Sequence, residues 1–322
     1  NYKNRLGAYH APQHTFLDFA FLRTLPKAQI RNGFAELIKI STCAHLRTFD
    51  LLEKYCDELI DTAFGRIDGA PAEVKNAADE INRAGIYEML KLESPNLHEI
   101  GLDRVIAYGH TWSPMHELVP EVPLRHGHAI SIDMAYSATL ANMRGILSDV
   151  DYRRILGLFS RAGLSMDHHQ FDEDLLEKAT RAILKTRDGK LRAAVPCPLG
   201  KCVFLNDVTM QEMHEALRKH KLVMQEYPRR GEGMEAFVDS SDTGYTMNKK
   251  PAEMFNGHTN GTNGTNGAQK AVINDNVKDN IINGHAAHDG IPTSHPIAAV
   301  KHASGPEGVD GSAEAPPRSN HS

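Results

Sequence analysis

The chain has 322 residues, 41% of them hydrophobic, and a formal net charge of -5. That is enough apolar material for one large or two modest domains. A weakly acidic chain with no Lys/Arg run interleaved with aromatics excludes a nucleic-acid surface. No apolar run is long enough to span a membrane, and four cysteines without a C-x-x-C pair argue for a reduced, cytoplasmic protein working on small molecules.

The opening residues, with Lys3 and Asn4 among them, read as a polar loop, and Thr15 to Phe19 as a short buried strand. From Pro26 the pattern turns helical, with Ile30, Phe34, Leu37 and Ile38 on one apolar face. Glu36 and Lys39 are three apart on another side; by itself such a pair is a surface ion pair worth about 0.3 to 0.5 kcal/mol. Cys43, seven residues after Glu36, continues that side with a small uncharged group and points to partial cover.

Further helices are expected at 46–62 and at 71–93, the latter with Ala77, Ile81, Ile86, Met89 and Leu90 inward. A histidine-rich stretch follows, containing His110, His116, His126, His128 and the single tryptophan, Trp112. Pro114 is expected to bend or end a helix just after His110. Residues 126–142 are apolar on nearly every side, the pattern of a buried helix with His126 at its positive end. Helices at 149–162 and 172–185, a hairpin of strands 191–195 and 201–205, and a last helix opened by the Thr209/Glu212 capping box complete the folded part. From Arg229 the composition shifts to Gly, Asn, Thr, Ser, His and Pro, which cannot repay ordering entropy by burial. The expected architecture is therefore mainly α with one small β-hairpin over residues 26–228, and a disordered tail over 229–322.

Glu36, His110 and His126 together offer an O, N, N donor set suited to a catalytic zinc with open coordination positions. His116 and His128 are spare candidates that spacing does not exclude. A purely structural zinc domain is disfavoured because only three protein ligands appear.

The segment from Asn32 to Lys39, the Gly109-His110-Thr111 turn, and His126-Gly127 sixteen residues after His110 resemble the sugar phosphate cyclases related to 3-dehydroquinate synthase. Lys3-Asn4 followed by Leu6-Gly7-Ala8 resembles that family's cofactor and substrate loop. The resemblance implies the helical metal-binding C-terminal domain of the dehydroquinate synthase fold. It implies Zn2+ or Co2+ held by Glu36, His110 and His126, with Lys39 and Lys190 as catalytic groups. Asn4 would hold substrate and Lys3 would lie near the cofactor or phosphate.

The implied chemistry is that of a carbon–oxygen lyase on a small sugar phosphate, with transient oxidation by NAD, in a homodimer when full length. Family members carry an upstream NAD-binding domain with a glycine-rich turn. No such turn occurs here, so residues 1–25 are expected to be a remnant of the junction and the chain alone to bind NAD poorly. A non-catalytic zinc-binding remnant is the alternative of another class.

Departures from the dehydroquinate synthase pattern bear on substrate. Glu93 stands where a lysine is expected, and a glutamate repels a substrate carboxylate that a lysine attracts. Ala107 and Pro114 replace an asparagine and a second histidine. The Trp112-Ser113-Pro114 version resembles the branch acting on sedoheptulose 7-phosphate. Within that branch Glu93, Ala107 and Thr186 resemble the members giving a gadusol-type product, whereas those giving a saturated cyclitol carry leucine, aspartate and histidine at these places.

Overall fold

The fold is organised around a helix that has no exposed face. In the computed structural model, which describes His10 and residues 12–239, α6 (His126–Met143) is buried at every position from Gly127 to Ala141. Its polar side chains turn inward on their own helix: Thr139 Oγ1 donates to the Ala135 carbonyl at 2.9 Å and Ser137 Oγ to Asp133 Oδ1 at 3.2 Å. Such i to i−4 bonds let hydroxyls sit in an apolar core without an unsatisfied donor.

Around α6 pack α1 (Lys27–Ala44), α5 (Ser113–His116), α7 (Asp149–Arg161) and α9 (Met210–Val223). Helices α2 (Leu46–Lys54), α3 (Cys56–Asp61) and α4 (Ala72–Glu93) form a second group against α1, and α8 (Glu173–Thr186) lies on α9. One antiparallel hairpin, β1 (Ala193–Pro196) and β2 (Cys202–Leu205), pairs Ala193 with Leu205 and Pro196 with Cys202; all of β1 is buried. The described helices and this hairpin are the mainly α architecture expected. No helix among the described residues is long and apolar enough to cross a membrane. All four cysteines are free thiols.

The crossing of α1 over α6 is unusually close. A Cβ on Gly127 would stand 2.6 Å from Asn32 Oδ1 and 2.8 Å from Asn32 Cα, so only glycine fits there. The Gly127 amide donates to Asn32 Oδ1, tying the first turn of α6 to the middle of α1. This contact fixes the distance between the two helices that carry Glu36 and His126.

Several expectations are corrected. No strand forms at residues 15–19: Phe16 is 94% exposed, and Asp18 instead caps a 3-10 turn, Phe19–Thr24, by accepting from the Ala20 amide at 2.9 Å. The helix expected at 46–62 bends at Tyr55 (φ -109, ψ 21) into α2 and α3. Leu90 faces out at 57% exposure, because α4 is covered on one side only. Pro114 does not end a helix; it lies in the first turn of α5, where a missing N–H costs nothing.

The tail boundary also moves. Residues 229–239 have a place in the fold: Leu124 and Phe237 form a β-bridge, and the Val238 amide donates to the Pro123 carbonyl at 2.9 Å. Composition missed this segment because its anchoring is through main-chain bonds rather than apolar burial. The rest of the expected tail, 240–322, lies outside the described residues, as do Lys3, Asn4 and the Leu6-Gly7-Ala8 segment.

Candidate metal centre

Three elements bring the donor set together. Glu36 sits on α1, His126 opens α6, and His110 ends the turn after Ala107. Their candidate ligand atoms all lie within 4.8 Å of one another, and they are the one such group of His, Cys, Asp and Glu among the described residues. The rings of His110 and His126 are 5.2 Å apart, tilted at 56°.

The His110 turn depends on Gly109, whose φ of +77 is left-handed and whose missing Cβ leaves room for Met134 Cγ, 2.5 Å from where that Cβ would be. His110 Nδ1 lies 3.2 Å from the Tyr108 carbonyl, a bond only an N–H can make, which leaves Nε2 as the lone-pair donor in the neutral ring. Burial first, and the Lys39 charge second, push His110 down to about 4, so the ring is neutral at physiological pH.

His126 is held at both nitrogens. Nε2 is 2.9 Å from Glu36 Oε1, and Nδ1 is 3.1 Å from Glu117 Oε2. The bond to Glu117, then the bond to Glu36, raise His126 to about 9 despite partial burial. Burial alone would raise Glu36, but the His126 bond and the Lys39 charge outweigh it and bring it down to about 2. Lys39 is 5% exposed and its Nζ lies 2.6 Å from Glu36 Oε2, so the pair is not the solvated one its spacing suggests.

The donors present fit a divalent transition metal. One carboxylate, one neutral imidazole and a second imidazole whose far nitrogen donates to a carboxylate make a three-ligand set, the count of a catalytic rather than a structural site. His126 Nε2 and Glu36 Oε1, in contact at 2.9 Å, are groups of the kind that exchange a proton for a metal.

Other expected site residues take varied positions. Ala107 is buried in the 3-10 turn leading to His110. Thr186 is exposed at the end of α8, with Oγ1 donating to the Ile183 carbonyl at 3.1 Å, and Lys190 is exposed in the loop that follows. Glu93 ends α4, where it lines a cavity of about 190 Å³ with Arg104 and Val105. Pro114 is exposed on α5. His116 and His128 are core residues: His116 Nε2 meets the Ala129 carbonyl at 2.7 Å, and His128 Nδ1 accepts from the Ser165 amide at 3.1 Å.

Sequence reasoning missed three supporting residues. Glu117, nine before His126, orients its ring; nothing in the spacing marks it. Asn32 anchors Gly127. Arg187 donates to the His110 carbonyl at 3.3 Å and to the Leu191 carbonyl at 3.3 Å, joining the loop of Thr186 and Lys190 to the metal turn. Only its place in that loop could have drawn notice.

Residues 33–186 match the family profile of the 3-dehydroquinate synthase C-terminal domain. The chain is 56% identical over 235 residues to the demethyl-4-deoxygadusol synthase of Trichormus variabilis, covering 73% of this chain and 57% of that protein. It is 36% identical over 216 residues to a 2-epi-5-epi-valiolone synthase of Streptomyces hygroscopicus subsp. jinggangensis, covering 67% and 51%. A solved 2-epi-5-epi-valiolone synthase from that organism, with NAD+ and Zn2+ bound, superposes with a TM-score of 0.62 at 35% identity, covering 69% of this chain and 59% of that one. The chain thus spans about half the length of the curated relatives it matches.

Proposed function

Through residues 33–186 the chain belongs to the 3-dehydroquinate synthase C-terminal family, and from that membership we propose that it is the metal- and substrate-binding part of a sugar phosphate cyclase. The substrate is sedoheptulose 7-phosphate and the product desmethyl-4-deoxygadusol, reached by phosphate elimination and intramolecular aldol closure. The observation that carries this reading is the convergence of Glu36, His110 and His126 within 4.8 Å, in a chain 56% identical to a demethyl-4-deoxygadusol synthase.

The metal would be held by Glu36, His110 Nε2 and His126 Nε2. When bound, the cation supplies Lewis-acid polarisation of substrate oxygens, and NAD supplies a reversible oxidation of a substrate hydroxyl. The protein's own groups do the rest. Lys39, 2.6 Å from Glu36, keeps that carboxylate ionised and adds a buried positive charge beside the reacting oxygens. Glu117 holds the His126 proton on Nδ1 so that Nε2 faces the centre. The Gly109 turn and the Arg187 bond fix the His110 ring.

Lys190 and Thr186, on the loop that Arg187 ties to the centre, hold the substrate together with Asn4, and Lys3 serves the cofactor or phosphate. Glu93 excludes a substrate carboxylate, and the small Ala107 leaves room beside His110. NAD is held chiefly by the portion of the relatives that this chain does not span.

Zinc content tests the centre: the wild-type chain is expected to take up one equivalent, and Glu36→Ala and His126→Ala to lose it. Unchanged zinc in both variants overturns the ligand set. Turnover of sedoheptulose 7-phosphate with NAD and zinc, in a protein that carries the nucleotide-binding portion as well, tests the reaction. A conjugated enone absorbing in the ultraviolet is expected. A saturated cyclitol would instead favour the 2-epi-5-epi-valiolone synthase reading, which the 0.62 TM-score to such an enzyme keeps open.

A further inference from the structure

Two arginines that belong to no reaction step are almost wholly buried, Arg31 at 3% and Arg125 at 1% exposure. Burying a guanidinium is costly unless its donors find acceptors. Arg31 Nη1 donates to the Ala162 carbonyl at 2.6 Å, just past α7, and both arginines find acceptors in the segment 229–239. Arg31 Nε donates to the Glu232 carbonyl at 2.7 Å. Arg125 Nη1 donates to the Glu235 carbonyl at 2.7 Å, its Nη2 pairs with Asp239 at 3.0 Å, and its amide donates to the Ala236 carbonyl at 2.7 Å.

The segment is built for this course. At its start the Arg230 amide donates to the Ser160 carbonyl at 3.1 Å, at the end of α7. Gly233, at φ +68, then passes so near α1 that a Cβ would stand 2.7 Å from Lys27 Cβ and 2.9 Å from the Ala28 amide. The segment next forms the bridge between Phe237 and Leu124. It thus crosses from the first turns of α1 to the residue before His126. Arg31 lies five residues before Glu36 on the same rigid helix, and Arg125 is the N-cap of the helix that His126 begins.

We propose that residues 229–239 are a strap that sets how Glu36 and His126 are oriented toward each other, with Arg125 as the positioning residue through which it acts on the metal centre. The inference rests on the reading of that centre as a metal site. A segment whose composition reads as the start of a disordered tail therefore belongs to the site's supporting structure. The close contact at Gly127 fixes how near the two helices approach; the strap fixes how they are turned about that contact. Preorganised ligand orientation is what distinguishes a tight metal site from three donors that merely share a region.

The test uses the full chain with two substitutions. Arg125→Lys keeps the charge and loses the two-pronged contact to Glu235 and Asp239. Gly233→Ala lifts the strap from α1 without touching either arginine. Zinc affinity is measured by competition with a chromophoric chelator, and the visible spectrum of the Co2+-loaded protein reports ligand geometry, with folding checked by circular dichroism. Both variants are expected to bind zinc about tenfold more weakly and to show a changed Co2+ spectrum. Affinity within about twofold of wild type and an unchanged spectrum in both would overturn the strap while leaving the centre intact. A wild-type chain that takes up no zinc would overturn the centre, and the strap with it.

Discussion

Glu117 lies 3.1 Å from His126 Nδ1 and its side chain is only 12% exposed, so its removal is the sharpest probe of the centre that leaves every proposed ligand in place. In the metal-bound form His126 would coordinate through Nε2 and donate its Nδ1 hydrogen to this carboxylate. A charge-assisted bond of that kind contributes about 1.5 to 3 kcal/mol. In Glu117→Gln the amide oxygen still accepts the hydrogen, so about half is lost and zinc affinity falls roughly tenfold. In Glu117→Ala the donor is left without this acceptor and the fall approaches about a hundredfold. One effect opposes this: Glu117 also helps hold the competing proton on His126, which titrates at about 9. Its removal eases that competition at neutral pH, so the comparison is made near about pH 8.5, where fewer rings are protonated. The assay is competitive zinc titration against a chelator of known affinity. If Glu117→Ala binds zinc within about twofold of wild type, Glu117 does not orient the ring and the argument fails.

Acid is expected to destabilise the metal-free protein. Burial pushes His116 to about 4 and His128 and His220 to about 3. Their neutral forms contribute stability above the unfolded value near 6.5, and it is lost as pH falls toward the folded values. Between pH 7 and 5 the loss is about 2 kcal/mol per ring. Asp133, raised to about 6 by burial, works the other way and returns about 1.4 kcal/mol over that interval. His126, held charged by Glu117 and Glu36, returns under about 1 kcal/mol. With His110, also pushed down to about 4 by burial, adding about 2 kcal/mol to the loss, a net loss of roughly 5 to 6 kcal/mol should appear in urea unfolding, and equal stability at the two pH values would refute the burial of these rings. Gly109→Ala adds left-handed strain of about 1 to 2 kcal/mol to a clash with Met134 costing about 1 to 3 kcal/mol; calorimetry should show a clear drop in Tm, together with weaker zinc binding. Equilibrium dialysis of the chain alone should show no micromolar affinity for NAD, and such affinity would mean that this chain itself holds the cofactor.

Periodicity located the helices because burial of one stripe is a local property of sequence. The all-apolar run of α6 announced its central place, and Thr209 capped α9 as its motif required: its side chain accepts from the Glu212 amide at 3.2 Å. Where local patterns failed, the cause was cover supplied from elsewhere. Phe16 and Leu17 read as core and lie exposed at 94% and 58%. Residues 229–239 read as the start of a disordered tail and are fastened by carbonyls, which composition does not record.

Glu36, His110 and His126 were nameable as donors from residue type, and as a set from motif resemblance, because zinc chemistry selects few side chains. Their convergence is a tertiary matter: it needs the missing Cβ of Gly127, which lets α6 touch Asn32 on α1, and the left-handed Gly109, which turns His110 inward. The role of Glu117 is of the same kind, since a hydrogen bond between residues nine apart on a loop and a helix start has no sequence period. The sequence by itself determined which groups could do the chemistry and which helices would carry them. Only the packed structure decided which carboxylate faces which ring, because that depends on contacts between chain segments about ninety residues apart.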